Sequence, residues 1–384
     1  MFIGLEIIFA IAIVISLLFY LACIVATQQF FSQSDPATPD YTPPVSILVP
    51  VCGLDPGAEA NWTSLCQQDY PQYEVLFGVR DTDDPAIKLL QQITAQYPHT
   101  RFFTGLKPRG INHKDSTLSY LLEQAQHDTL IFVDSDIRVH SHYIHTVIPP
   151  LADEKTGLVT CAFIGRNPQS LGAAMASFGR CFDFIPSALL ARWLDGGVKF
   201  AVGVTMAIRR DTLAASGGLH LSRVGSDYNL GKRVAQAGYR VELCRYVLES
   251  DTGQETLADV YQRELRWART IRYNRGPQYY TIALCYGTVY GLPLLLFSQF
   301  APWAIALTAL TWIVRYLQVF VALKSLDAPR LLTWLWALPL REILSFWVWL
   351  VGAYGDRIYW RGRWLRVTED GIISPWSPKT IRDS

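Results

Sequence analysis

Four short clusters in this chain carry side chains able to do chemistry. Gly78-Val79-Arg80-Asp81-Thr82-Asp83-Asp84-Pro85 directly follows the apolar run EVLFGV. A carboxylate at a strand end can accept the N3–H of uracil or hydrogen-bond a ribose hydroxyl, which makes Asp81 and Asp84 candidate nucleotide ligands. Asp83 or Asp84 also suits the N-cap of a helix opening at Pro85, and one residue can do both jobs. Ile131-Phe132-Val133-Asp134-Ser135-Asp136 ends a second apolar run. Residues i and i+2 of an extended segment point the same way, so Asp134 and Asp136 can reach one ion. Mg2+ or Mn2+ suits carboxylate and phosphate oxygens, and such an ion would bridge a diphosphate and offset charge on the departing group.

Gly225-Ser226-Asp227-Tyr228-Asn229-Leu230 opens a helix-like stretch. Asp227 fits an N-cap, and it equally fits a general base that takes the proton of an attacking hydroxyl. In Tyr261-Gln262-Arg263-Glu264-Leu265-Arg266-Trp267, Gln262 and Arg266 are four apart and share a helix face. The Arg fork suits a diphosphate, and the adjacent Trp267 can wall an acceptor cleft. Arg263, Arg266, Arg269, Arg272 and Arg275 recur every third residue, so only part of this stripe can face one ligand. The rest fits an interfacial helix over lipid headgroups. Lys114, in GINHK, is a further candidate nucleotide contact; His113 has no partner visible in the sequence.

The elements that must hold these residues are of two kinds. Residues 45–260 alternate short apolar runs (VSILVP, EVLFGV, TLIFVD, GLVTCAF, VTMAIR) with helix-like stretches. That alternation predicts an α/β domain with a mostly parallel, Rossmann-like sheet and ligands at the strand C-termini. The remainder is apolar. Hydrophobic residues make up 50% and charged residues 17% of the chain, fewer charges than a soluble domain carries. Residues 3–26 are almost continuously apolar and predict a transmembrane anchor within 1–30, followed by a Pro-rich linker at 31–44. Residues 261–280 read as an interfacial helix, 281–355 as membrane segments, and 356–384 as a basic tail. Runs at 281–300, 302–323 and 331–353 have spanning length, though Arg315 and Arg341–Glu342 interrupt two of them. Arginines flank both ends of this region, which predicts both ends on the cytoplasmic side. Three spans cannot join them, so 331–353, with Pro339, is expected to be re-entrant. A net charge of +1 excludes nucleic-acid binding driven by bulk charge. The seven cysteines form no CxxC pair and are expected as free thiols.

The ordered set VRDTDDPAI, GINHK, DSDIRV, Ser226–Tyr228 and QRELRW, with the tail YWRGRWLR, resembles the ceramide glucosyltransferases. These belong to the lipid-directed inverting glycosyltransferases with a GT-A fold. The resemblance covers nearly the whole chain. It implies a UDP-sugar donor, with glucose favoured, and a membrane lipid acceptor. It implies that Asp84 binds the nucleotide, Asp134 and Asp136 the metal–diphosphate, and that Asp227 is the base. Gln262, Arg266 and Trp267 would line the diphosphate and acceptor site. Two features depart from the eukaryotic enzymes: Asp136 stands where they tend to have glycine, and Phe178–Ala191 lacks their histidine. The runs FGVRD, DSDIRV, GLVTC and ELRWARTIR are also similar to bacterial enzymes that glycosylate bacteriohopanetetrol. The implied acceptor is thus ceramide, a hopanoid or another lipid such as diacylglycerol, at a bacterial inner membrane with the catalytic domain in the cytoplasm. A processive polysaccharide synthase shares the same motifs but usually has more spans, and a non-catalytic membrane scaffold is the alternative outside enzymes.

Overall fold

The structure is a computed structural model and describes residues 3–33, 41–251 and 253–377. Residues 34–40 of the expected linker and 378–384 of the expected tail lie outside the described residues. The chain divides into two units, one of Asp35–Arg166, Asp195–Asp251 and Leu365–Ser384, the other of Met1–Ser34, Asn167–Leu194 and Thr252–Trp364.

The first unit is built on a sheet of eight strands. They are β1 (Val45–Val51), β2 (Tyr73–Val79), β3 (Thr100–Phe103), β4 (Thr129–Val133), β5 (Ile137–Arg138), β6 (Thr156–Arg166), β7 (Thr205–Arg209) and β8 (Arg240–Asp251). Their order is β3-β2-β1-β4-β7-β6-β8-β5. From β3 to β4 every neighbour is parallel, as the strand–helix alternation predicts. Beyond β4 the sheet becomes mixed: β7 runs antiparallel to both β4 and β6, and β5 antiparallel to β8, while β6 and β8 are parallel. The central strands are unbroken apolar runs because both sheet faces are covered. Ile47, Val49, Val75, Phe77, Ile131 and Val133 pack with Trp62, Leu90 and Tyr143 from the flanking helices.

The second unit is helical. Ile3–Ser32, Pro302–Ser325 and Pro329–Gly352 are each long and apolar enough to cross a membrane. The first packs on its neighbours through Ile13, Leu17, Tyr20, Leu294, Ala304 and Val314. The run expected to span at 281–300 is not one helix. A 3-10 stretch, Gly276–Cys285, ends at Tyr286, and a short helix, Gly287–Phe297, follows at a bend of 59°. A break in apolar surroundings frees carbonyls that must be satisfied internally. Ser16 Oγ donates to Leu284 O at 2.6 Å and Tyr20 OH to Cys285 O at 2.7 Å. The segment expected to be re-entrant is a 3-10 stretch, Pro329–Ala337, running into the helix Leu338–Gly352.

The charges that interrupt these segments are buried together. Arg315 donates to Glu342 Oε1 at 2.7 and 3.0 Å and pairs with Asp183. Arg341 donates to Glu264 at 2.7 and 2.9 Å and to Asp183 Oδ2 at 3.2 Å. Pairing of this kind is what makes charge tolerable at such depth.

Candidate active site

The carboxylates of the first unit collect where β4 ends. Asp134 is the residue after β4, and its N–H donates to Val204 O at 3.1 Å, the residue before β7. The turn that leads into β7 is fixed by Thr160, whose Oγ1 accepts from Val202 N and donates to Val202 O, both at 2.9 Å. Lys114 reaches this point from the first turn of the helix His113–Gln124. Its ammonium pairs with Asp134 and donates to Gly203 O at 3.0 Å. Gly203 also meets Asp227: a Cβ at that position would lie 2.3 Å from Asp227 Oδ2. Lys114, Asp134, Gly203 and Asp227 therefore form one group. Asp136 completes it from two residues beyond Asp134, accepting from Ser250 Oγ at 3.3 Å.

The electrostatics follow from Asp134 and Asp227 acting on the Lys114 ammonium, with Asp136 next to Asp134. Burial works against the Lys114 charge, but Asp134 and Asp227 outweigh it and hold its pKa above the ordinary lysine value. Burial raises the pKa of Asp134, with Asp136 and Asp227 adding to it against the pull of Lys114. Asp134 keeps 30% and Lys114 27% of its side-chain surface exposed, so the group is open to a ligand. Among the described residues no three His, Cys, Asp or Glu side chains converge to cage an ion alone. Two carboxylates suffice for a cation that keeps water and substrate phosphates in its shell, so Asp134 and Asp136 fit that kind of site.

Asp227 is not the helix cap its spacing allows. Gly225 holds the N-cap position of Ser226–Gln236, in a left-handed conformation with φ 62°, and Asp227 lies one residue inside the first turn. Its carboxylate is left for other work. The loop before it is pinned by the C-terminal segment, with Val224 N donating to Gly371 O and Ile373 N to Ser222 O, both at 2.9 Å. Behind it, Asn112 Nδ2 donates to Asp115 Oδ2 and to Arg223 O, each at 2.9 Å. Asp115 is buried, which pushes its pKa up to about 7.

Asp84 has two structural bonds, accepting from Gly53 N and Ala86 N at 2.9 Å each. Pro85, not Asp83 or Asp84, holds the N-cap position of the helix Ala86–Gln96, and Asp84 stands one residue before it, tying the segment after β1 to the first N–H of that helix. Asp81 is gripped by Arg80, whose Nε donates to both its oxygens at 2.9 and 3.0 Å, and Arg80 holds its pKa below the usual range. Arg80 Nη1 also donates to His113 Nδ1 at 2.6 Å, which gives His113 the partner the sequence does not reveal and places its proton on Nε2.

Gln262, Arg266 and Trp267 belong to the other unit, on the helix Leu257–Arg275. Thr256 and Asp259 cap that helix reciprocally. Gln262 is exposed, and Arg266 and Trp267 are half-buried. Trp267 lies under the Arg263 guanidinium at 5.5 Å, and Arg266 lies over Trp360 at 5.4 Å. The stripe of arginines is divided in its use. Arg263 pairs with Glu255, while Arg269 donates to Tyr354 O at 3.2 Å and Arg272 to Ala353 O at 2.5 Å.

This order of motifs on this sheet has counterparts. The profile of glycosyl transferase family 21 matches residues 8–373. The chain belongs to glycosyl transferase family 21. Among relatives of this family 21 protein, ceramide glucosyltransferase 1 of Caenorhabditis elegans is 20% identical over 377 residues, covering 94% of the chain and 80% of the relative. Ceramide glucosyltransferase 3 of the same organism is 22% identical over 244 residues, 59% of the chain, and the match spans half of that relative's length (50%). A mannosyltransferase from Pyrobaculum calidifontis, solved with GDP-mannose and Mn2+, superposes with a TM-score of 0.51 at 18% identity, covering 90% of this chain and 99% of that one. The fold of the sheet unit is accordingly GT-A, and the protein is a glycosyltransferase with apolar helices fit for a membrane.

Several residues that the structure brings together carried no readable signal or an overlooked one. Nothing local marks Gly203, which lies in the apolar run AVGVTM. Asn112 and Asp115 form an Asx cap three residues apart, a spacing the sequence does show. The Asp183–Arg315–Arg341 cluster joins residues more than 130 positions apart, which no local pattern can reveal.

Proposed function

We propose that this glycosyltransferase moves a hexose, glucose in the first instance, from a UDP-sugar to a hydroxyl of a membrane lipid, with inversion, at the cytoplasmic face of a bacterial inner membrane. The observation that carries the chemistry is Lys114 between Asp134 and Asp227, with Asp136 beside Asp134. Asp84 and Asp81 take the uridine, with Asp84 using lone pairs left over from its bonds to Gly53 and Ala86. Lys114 faces the diphosphate as a fixed positive charge. A divalent cation, Mn2+ or Mg2+, is assigned to Asp134 and Asp136, where it would offset charge on the departing UDP. Asp227 takes the proton of the acceptor hydroxyl as that oxygen attacks the anomeric carbon and the bond to UDP breaks. Attack opposite the leaving group inverts the configuration in one displacement. Gln262 and Arg266 are assigned to the diphosphate and Trp267 to the acceptor.

Ceramide is the preferred acceptor, on the support of relatives named for it, one of which aligns with 94% of the chain. Hopanoid polyols and diacylglycerol are the other candidates. Purified protein in detergent, given radiolabelled UDP-glucose, Mn2+ and these lipids singly, is expected to produce an organic-soluble labelled product that stays one sugar long. A growing water-soluble polymer would contradict lipid transfer and favour a polysaccharide synthase. Release of UDP with no lipid labelled would contradict the acceptor class.

A further inference from the structure

Beyond its last apolar helix the helical unit turns back as a hairpin. The strands Arg357–Trp360 and Arg363–Val367 are neighbours in a small sheet, joined by Arg361 and Gly362. Both joining residues have positive φ, 46° and 78°, the two-residue turn that suits the twist of paired strands. That turn sets Tyr359 opposite Trp364, and their ring centroids lie 5.3 Å apart. The tip, Arg357–Trp364, belongs wholly to the helical unit. Alternation along the first strand turns Ile358 inward at 1% exposure and Arg357 and Tyr359 outward. Tyr359 and Trp364 are 41% and 43% exposed, and Arg361 and Gly362 at the turn are exposed as well.

The hairpin is held at the end of an apolar helix. Pro329–Gly352 is long and apolar enough to cross a membrane, and the hairpin opens soon after Gly352. On whichever side that helix emerges, the residues just beyond it stand at the boundary of hydrocarbon and water. The turn that leaves it is stapled by the helix Leu257–Arg275. Arg272 donates to Ala353 O at 2.5 Å and to Gly355 O, and Arg269 donates to Tyr354 O at 3.2 Å and to Arg357 O. Arg266 lies over Trp360 at 5.4 Å. Arg266, Arg269 and Arg272, from the stripe expected to lie over headgroups, are thus committed to the turn and hairpin, and they fix which face the hairpin presents.

An outward Tyr–Trp pair suits the headgroup layer, where an apolar ring body and a polar tip are both satisfied. Beside it stand Arg357, Arg361 and Arg363, with one nearby acid, Asp356. The arginine fork matches phosphate geometry, and basic clusters just outside a membrane helix attract acidic lipids. We propose that the hairpin Arg357–Trp364 is a binding site for anionic phospholipid of the bilayer itself, with Tyr359 and Trp364 seated among the headgroups and the arginines on their phosphates. This role rests on the helical unit lying in a bilayer, not on which lipid accepts the sugar.

Native mass spectrometry of the full-length protein in detergent, offered phosphatidylglycerol or phosphatidylcholine, reads the bound lipid directly. Wild type is expected to hold phosphatidylglycerol about 10-fold or more tighter than phosphatidylcholine. Arg357→Gln/Arg361→Gln/Arg363→Gln should lose that preference and the matching lysine variant should keep most of it, with protection by UDP against thermal unfolding unchanged in both. Should the triple glutamine variant not fold, Arg361→Gln alone, at the exposed turn, is expected to lower the preference about 5-fold. Trp364→Ser should weaken both lipids alike. Equal retention of both lipids by wild type, or a preference that survives the glutamine changes, overturns the proposal. Displacement of phosphatidylglycerol by an equal concentration of soluble glycerol phosphate also overturns it, since the site would then take phosphate without lipid. A dimer that Trp364→Ser splits overturns it as well, by putting a second copy on this face. A wild type that stays dispersed without detergent overturns the bilayer placement itself, and this role with it.

Discussion

Gly203→Ala offers a sharp test of Asp227 as the base, because the substitution adds one methyl group beside it and changes no charge. The new Cβ would lie 2.3 Å from Asp227 Oδ2, 2.8 Å from its Cγ and 2.9 Å from its Cβ. Side-chain atoms do not approach so closely, and three atoms of Asp227 are involved, so a rotation of its terminal oxygens cannot relieve the contact. Asp227 must move by about 1 Å to restore ordinary contact. The backbone of Gly203 does not have positive φ, so alanine adds no conformational strain. Overpacking of this size costs about 1–3 kcal/mol of stability, which leaves the protein folded. A displacement of about 1 Å at a base is expected to lower the transfer rate about 100-fold. The assay is the initial rate of labelled-lipid formation at saturating UDP-glucose, with protection by UDP against thermal unfolding as the check that the donor site persists. The double variant Gly203→Ala/Asp227→Asn should be no slower than Asp227→Asn, since both changes act on one group. Transfer by folded Gly203→Ala within about 3-fold of wild type would refute the reasoning.

Three further outcomes follow from the same geometry. Lys114→Met removes the ammonium from Asp134 and from Gly203 O, and the KM for UDP-glucose should rise about 10-fold or more in steady-state assays. Asp115 keeps its proton to about pH 7 in the folded protein and loses it near pH 3.9 when unfolded, so between these values the native state binds the extra proton and stability falls as pH rises. Asp115→Asn removes that contribution, and the drop in unfolding temperature from about pH 5 to about pH 7.5 should shrink relative to wild type. Glu264→Ala leaves Arg341 buried without its closest carboxylate and should destabilise the protein by about 3–5 kcal/mol, part of it recovered in Glu264→Ala/Arg341→Leu, both read by thermal unfolding in detergent.

The fold and the site were legible to different depths. The parallel half of the sheet is written in VSILVPV, YEVLFGV and TLIFV, buried runs whose composition has one structural meaning. The run TMAIR also reads as a strand, but strand direction depends on how the chain returns to the sheet, so its antiparallel place between β4 and β6 was not readable. Asp134 and Asp136 stood out because they follow an apolar run, although β4 ends at Val133 and Asp136 lies in a turn, so the shared direction expected of an extended segment is not what brings them together. Asp227 was ambiguous until Gly225 proved to hold the cap position. The run 281–300 has the hydropathy of a span, yet hydropathy does not register the side chains of Ser16 and Tyr20 that let the helix break at Tyr286. Arg315, Arg341 and Glu342 stand out in the sequence as charges out of place, but Asp183, the shared partner of the two arginines, lies in the segment 178–191 and is visible only once the helices are packed.

The central claim is that this family 21 protein builds a glycolipid with Asp227 as its base. Mass spectrometry of lipids from a host lacking glycolipids, expressing either wild type or Asp227→Asn at equal levels, tests it most directly. The account predicts a lipid heavier by one hexose with wild type and its disappearance with Asp227→Asn. An equal yield of that lipid from both proteins, or no hexosylated lipid with wild type, would contradict it.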